Sequence, residues 1–437
     1  MKRIKMITLI FYTLTLFSCS NAIDISSCKK KIDIEENELQ KYVKDGYIDY
    51  RVARFFALQE LDNHLFNSNN LTLSEIPLII FDSKALTPKY YEFQVISNSK
   101  IIGAISCVAK KEYGDPVKYI LFDNKNGVID IGRNASNNGM NLVDYGYPAK
   151  RFFLNKQARL VEASTSKVYD ENYSECSTRE VLENLNDNEL TRYGINPAIW
   201  RKETIELIKK EENRLEELWE KIEIASNEII RLQTNYNNST SRSVVSSICF
   251  SVYEKKLYNW LEFENCNQIG GYCGPNCLMF ILLGLGADSN CNFYPKSFDL
   301  NDLCTFYYEI ENKLGKGPKS FAALNHCLEK ISNYKIIQNQ SPDWMLTKIA
   351  MDKNNLPGLI LRSSKSIDKL AWHYRVIVGY RQEKYSLKNQ FLWWTWDSLS
   401  NDNYYLLHDN GADSGEYYFY EKSNLLYQIG SAYVEKK

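Results

Sequence analysis

The segment Gly270–Leu285, GGYCGPNCLMFILLGL, constrains the fold more than any other part of the chain. A Gly-rich turn leads into Gly274 and Pro275 and then into a continuous apolar run. Proline fits the first turn of a helix, where its missing N–H costs nothing, and the run that follows reads as a buried helix. Cys273 then sits at the positive end of that helix. Unpaired backbone N–H groups and the helix dipole favour thiolate over thiol there, and a thiolate attacks carbonyl carbon. The same position equally suits a buried or disulfide-bonded cysteine, so a partner residue has to decide.

Only four histidines are available, His64, His326, His373 and His408. His373 lies in WHYRVIVGY, a β-branched and aromatic run that predicts a buried strand, and a second run, QFLWWTWDS, follows the polar stretch RQEKYSLKN. A hairpin folded about Lys384 to Leu387 brings His373 beside Asp397. A carboxylate there orients the imidazole and leaves its other nitrogen to take the proton of a cysteine. The remaining histidines have ordinary readings: His326 in the helix-like AALNHCLEKI, His64 in an amphipathic helix and His408 in a polar turn, HDNGADSG. No HExxH occurs, and the cysteines at 266, 273 and 277 lack the paired spacing of structural zinc, so neither metal nor cofactor is expected. Cys277 is the rival nucleophile. It falls one helical turn further on, within the apolar run, where burial or disulfide pairing is the expected fate.

With these residues in hand, YCGPNCLMFILLGLG resembles the nucleophile segment of papain-like cysteine peptidases, closest to the bacteriocin-processing type with its CGP turn and helix. The downstream HYRVIVGY, and a strand ending in Asp, are similar to the same pattern. The resemblance implies Cys273 as nucleophile, His373 as general base and Asp397 as orienter. It also implies a Gln shortly before the cysteine as oxyanion donor, for which Gln268 is the candidate. Here the sequence departs from the family, because Gln268 lies five residues before Cys273 instead of six, where Asn267 stands. A side-chain amide from either residue, with the backbone N–H of Cys273, supplies the two donors such a hole requires.

At the other end, Lys2, Arg3 and Lys5 precede an apolar run from Met6 to Phe17, the length of a signal h-region and too short to span a bilayer. The run ends LFSC, which resembles a bacterial lipoprotein signal with Cys19 as the lipidated residue. Ordinary signal cleavage is the alternative, and both imply export. Lipid on Cys19 implies a membrane anchor with the rest of the chain in water, facing the periplasm or the cell surface.

Fifty-three basic residues against 54 acidic ones leave a net charge of −1, so no overall field attracts phosphate and no nucleic-acid partner is expected. The 11 cysteines suit an oxidising compartment. Cys249, Cys266, Cys277, Cys291, Cys304 and Cys327 allow up to three bridges beside the nucleophile.

The organisation expected is α+β, in five parts: a signal peptide over 1–18, a strand-rich domain over 19–196, a long amphipathic helix over 197–234, a polar linker over 235–247 and the peptidase-like domain over 248–437. The first domain opens with a helical pattern from Ile34 to Phe66 and continues in β-type runs, IPLIIFD, KYYEFQVIS, KIIGAISCVAK, VKYILFDN and RFFLN. It resembles the propeptide and inhibitor modules that accompany streptopain-like peptidases. An intramolecular prosegment, released by cleavage near Ser241 to Ser247, is the corresponding expectation. The long helix reads as one packed across two domains, with a heptad dimerisation helix as the alternative. Trp372, Trp393, Trp394 and Trp396 read as core or as shields of the His–Asp pair.

Taken together, these readings imply an exported cysteine peptidase acting on a peptide or protein substrate. A transglutaminase or amidase on the same apparatus is one alternative. A non-catalytic surface lipoprotein that binds or inhibits a peptidase is the other.

Overall fold

The computed structural model describes residues 36–62, 70–122, 128–137, 140–145, 151–164, 166–169, 174–175, 177–184, 187–192, 196–236, 246–257, 273–287, 305, 308–310, 312–313, 320–339, 344–365, 370–388, 402–408, 418–422 and 428–437. The chain divides into two compact units, Met1–Asp49 and Tyr50–Lys437. In the first, a helix over residues 36–44 is closed by Gly46, whose φ of 85° lies in the left-handed region that glycine enters without strain. The helical pattern from Ile34 to Phe66 is therefore interrupted. A new helix begins only at Tyr50.

The second unit is α+β. Helix α1 (Tyr50–Asp62) precedes strands β1 (Leu71–Leu73), β2 (Leu78–Asp82), β3 (Pro88–Ser97), β4 (Lys100–Val108) and β5 (Val117–Phe122). Helix α2 (Val128–Asn137) and short strands β6 (Leu142–Asp144), β7 (Phe152–Leu154), β8 (Leu160–Glu162), β9 (Val168–Tyr169) and β10 (Ser174–Glu175) come next. Three helices follow, α3 (Thr178–Asn184), α4 (Asp187–Arg192) and the 40-residue α5 (Pro197–Tyr236). The C-terminal part runs β11 (Ser246–Lys256), α6 (Cys273–Gly284), α7 (Phe321–Ile331), β12 (Tyr334–Gln338), α8 (Trp344–Asn354), β13 (Gly358–Lys365), β14 (Leu370–Lys388), β15 (Asp402–His408), β16 (Tyr418–Lys422) and β17 (Gln428–Lys436).

Local sequence explains the front strands. In β3 and β4 the residues Tyr91, Phe93, Val95, Ala104 and Ile105 are fully buried. The turn between them uses Asn98 and Ser99 at φ of 48° and 64°, the double left-handed geometry whose twist matches that of paired strands. Charges inside this region are paired: Arg151 lies 2.8 Å from Glu92, and Lys89 lies 2.6 Å from Asp144. Such pairing is the condition for burying ionised groups.

A single ladder of strand pairs runs through the whole unit. Strands β9, β8, β7, β6, β2, β3, β4 and β5 follow one another, and β5 then pairs with β16, which leads through β15, β14, β13 and β17 to β12. Only the β2 and β6 pair is parallel among these. Three further pairings extend it, β1 on β3, β11 along β14 and β10 on β13.

Helix α5 connects front and back. Trp200 donates from Nε1 to the carbonyl of Ile429 on β17 at 2.8 Å, and Trp219 donates to the carbonyl of Gly114, before β5, at 2.9 Å. The helix continues to Tyr236, two residues past the expected 234. Ser246 and Ser247, expected in the linker and at the cleavage point, already belong to β11, opposite Lys388 and Leu387.

That pairing also corrects the expected hairpin. Residues 384–387 do not turn: β14 runs straight through them to Lys388, because β11 supplies backbone partners where a turn was expected. The strand that returns along β14 is β15, with His408 opposite Val376.

Candidate active site

Helix α6 is built as its sequence dictates. Every residue from Cys273 to Leu283 is buried, as an apolar run without a polar face requires. The helix ends in a left-handed glycine, Gly286, with its N–H bonded to the carbonyl of Leu283 and the N–H of Ala287 to that of Leu282, both at 2.9 Å. This pair of hydrogen bonds satisfies orphan carbonyls of the last turn. The helix packs against β14, and its Phe280 stacks on the buried ring of His408. Helix α7 completes the cover through Phe321, whose ring meets Tyr374 edge-on at 5.2 Å.

Cys273 is thereby held at the start of α6 against the strand that carries His373. Backbone N–H groups of Tyr374, the residue after His373, of Gly274 and of Cys273 itself face the sulfur and act to lower its pKa. The helix start does supply the donors expected from the sequence, but they do not win. Burial outweighs them and pushes the thiol up to about 11, even with the Arg375 charge acting in the opposite direction. The thiolate expected of a helix N-terminus is thus replaced by a neutral thiol.

The imidazole is held neutral as well. Part of His373 remains accessible, yet its Nε2 is sealed from solvent. Burial lowers its pKa well below the ordinary value, and the charges of Arg375 and Arg362 lower it further. Arg362 stands directly opposite His373 on β13, and Arg375 follows two positions along the same face of β14. In this state the pair is thiol and neutral imidazole, the form in which histidine can accept a proton as the sulfur attacks.

Both arginines converge on one carboxylate. Glu421 of β16, fully buried, pairs with Arg362 and lies 3.5 Å from Arg375. Lys118 of β5 completes the group at 3.5 Å. These residues were missed in the sequence. The available signal was an arginine in each of two apolar strands, LILRSS and HYRVIVGY, since a buried arginine calls for a carboxylate.

Of the other expected site residues, Gln268, Asp397 and Cys19 lie outside the described residues, as do Trp393, Trp394 and Trp396 and the side chain of Trp372. His326 is exposed on α7. His408, expected in a polar turn, is instead the last residue of β15 and fully buried. Cys277 and Cys327, counted among potential disulfide partners, are buried thiols outside any disulfide. Among the described residues no group of three His, Cys, Asp or Glu side chains is placed to hold a metal ion, and no helix is long and apolar enough to cross a membrane.

Compared with protein-family models and with curated proteins, the chain matches none. The functional reading therefore rests on the residues themselves.

Proposed function

We propose that this chain is an exported, lipid-anchored cysteine peptidase or related amidase with a papain-like arrangement of helix and sheet. The observation that supports the reading is the packing of α6, which starts at Cys273, on β14, which carries His373, with the backbone of Tyr374 acting on the thiol. In the proposed reaction the sulfur of Cys273 bonds to a peptide-type carbonyl carbon while its proton passes to His373. The C–N bond then breaks, the amine leaves with the proton from His373, and a thioester remains for water to resolve. Asp397 is the proposed orienter of the imidazole, and Gln268 with the N–H of Cys273 the proposed oxyanion donors. Cys19 is the proposed lipid attachment, which fixes the protein to a membrane surface in the periplasm or outside the cell. Transfer of the acyl group to an amine instead of water gives the transglutaminase variant of the same chemistry.

A second reading has its own support. A thiol that is 2% exposed and pushed up to about 11 is also what a non-catalytic binding domain retains. The two separate in one experiment, incubation of the mature protein with a diverse peptide library followed by mass analysis of products. Cleavage abolished by Cys273→Ala supports the peptidase; peptides bound but left intact by the wild type support the binding domain.

A further inference from the structure

The expected prosegment makes contacts of a different kind from those of a removable cover. Strand β5 of the front module is a full member of the sheet, pairing Tyr119, Ile120 and Leu121 with Glu421, Tyr420 and Phe419 of β16. Strand β10 pairs with Ser364 and Lys365 of β13, the strand that lies against the His373 end of β14. Removing the front module therefore exposes unpaired strand edges at two places. Buried hydrogen bonds add to this: Tyr404 of β15 donates to Glu60 of α1 at 2.5 Å, and Thr178 of α3 donates to the carbonyl of Gln428 at 3.2 Å.

The charges run the same way. Lys118 belongs to the front module, Arg362 and Arg375 to the strands around His373, and Glu421 to the strand between, with all four side chains buried. Withdrawal of β5 takes one cation from a sealed cluster and opens the remaining three groups to water.

We propose that residues 50–236 are a permanent positioning partner of the candidate site, keyed to the His373 strand through the Lys118, Glu421, Arg362 and Arg375 cluster, so that a cut in the linker nicks the protein without releasing its front module. Glu421 is the positioning residue that links the two halves. The positioning role rests on the peptidase reading; the permanence of the association does not.

The test introduces a site for a specific protease into 237–245 of the full mature chain. After cutting, the protein is passed through gel filtration on serial dilution, and iodoacetamide labelling of Cys273 is mapped by mass. The expected result is co-elution of the fragments, with a Cys273 labelling rate within about twofold of the uncut protein. Glu421→Gln is expected to raise the concentration at which the fragments part by about tenfold or more, because two buried arginines lose their carboxylate. Lys118→Met, which leaves both arginines paired, serves if Glu421→Gln fails to fold, and is expected to weaken the association in the same direction. Fragments that separate unaided, with faster Cys273 labelling in the released C-terminal piece, overturn the proposal in favour of a removable prosegment. Co-elution with labelling that ignores His373→Ala before and after the cut overturns the peptidase reading and with it the positioning role, so the two failures are distinguishable.

Discussion

Phe280 of α6 and His408 of β15 stack nearly face to face, ring centroids 4.0 Å apart at 27°. An aromatic contact of this kind, fully buried, makes His408 a packing residue that fixes the helix of Cys273 on the sheet. His408→Ala is expected to cost about 2–4 kcal/mol through the cavity and the lost ring contact. Urea unfolding measures it. Dependence of Cys273 labelling on His373 is expected to survive in the folded variant, and its disappearance would move the role of base to His408.

The neutral thiol has its own signature. With Cys273 pushed up to about 11 by burial, about one molecule in ten thousand carries thiolate at pH 7. In His373→Ala, where no base assists, mass-mapped alkylation of Cys273 is therefore expected to climb about tenfold per pH unit from pH 7 to 10, while a plateau below pH 8 in that variant indicates a preformed thiolate and contradicts the burial argument. The sign for stability follows. A thiol raised in the folded state stabilises below its unfolded value near 9.0, and that contribution is lost as pH rises through 11.

His373 acts at the acid end. Its folded pKa is depressed well below 6.5, so its contribution to stability is present above the unfolded value and is lost as pH falls from there towards the folded one. The wild type is expected to lose melting temperature more steeply than His373→Gln between about pH 6.5 and 4.5. Parallel pH curves for the two proteins would show that the imidazole is not held neutral. Arg375 on β14 and Arg362 on β13 are the charged groups acting on it, with Glu421 of β16 and Lys118 of β5 joined to them.

Gly379 marks where β14 changes neighbours, from β13 to β11 on one side, beside an irregularity in its pairing with β15. A Cβ there runs into the carbonyl oxygen of Lys255 and comes within 3.2 Å of Leu406. Backbone cannot move aside as a flexible side chain does, so Gly379→Ala is expected to destabilise by about 1–3 kcal/mol in chemical denaturation. A change under about 0.5 kcal/mol contradicts the close approach.

Much of this was legible in the chain, and the exceptions share causes. Regular elements with strong periodicity came through: the strands KYYEFQVIS and KIIGAISCV, the amphipathic α5 and the apolar α6 all lie where their patterns put them. The expected turn at Lys384 to Leu387 failed because polar residues read as a loop until a distant strand pairs with them, and their partners, Ser247 to Ser251 of β11, lie far earlier in the chain. His408 was misread for a similar reason. Its following residues, DNGADSG, are turn-like, whereas its own burial comes from Phe280, which no local pattern reveals. The charged cluster at Glu421 joins β5 of the front module to β13, β14 and β16 of the C-terminal part, so single-strand patterns show each member only as an oddity. The helix start at Cys273 was read correctly in position but not in charge, since the burial that raises its pKa is supplied by elements that pack on it.

The central claim is that Cys273 attacks with His373 as its base, and the most direct measurement is mass-mapped iodoacetamide labelling of the folded protein lacking residues 1–19, wild type against His373→Ala. Cys273 is expected to be labelled faster than the buried thiols Cys107, Cys277 and Cys327, and His373→Ala to slow it by about tenfold or more while leaving the other three unchanged. Labelling of Cys273 no faster than that of Cys277, or a rate indifferent to His373→Ala, would contradict it.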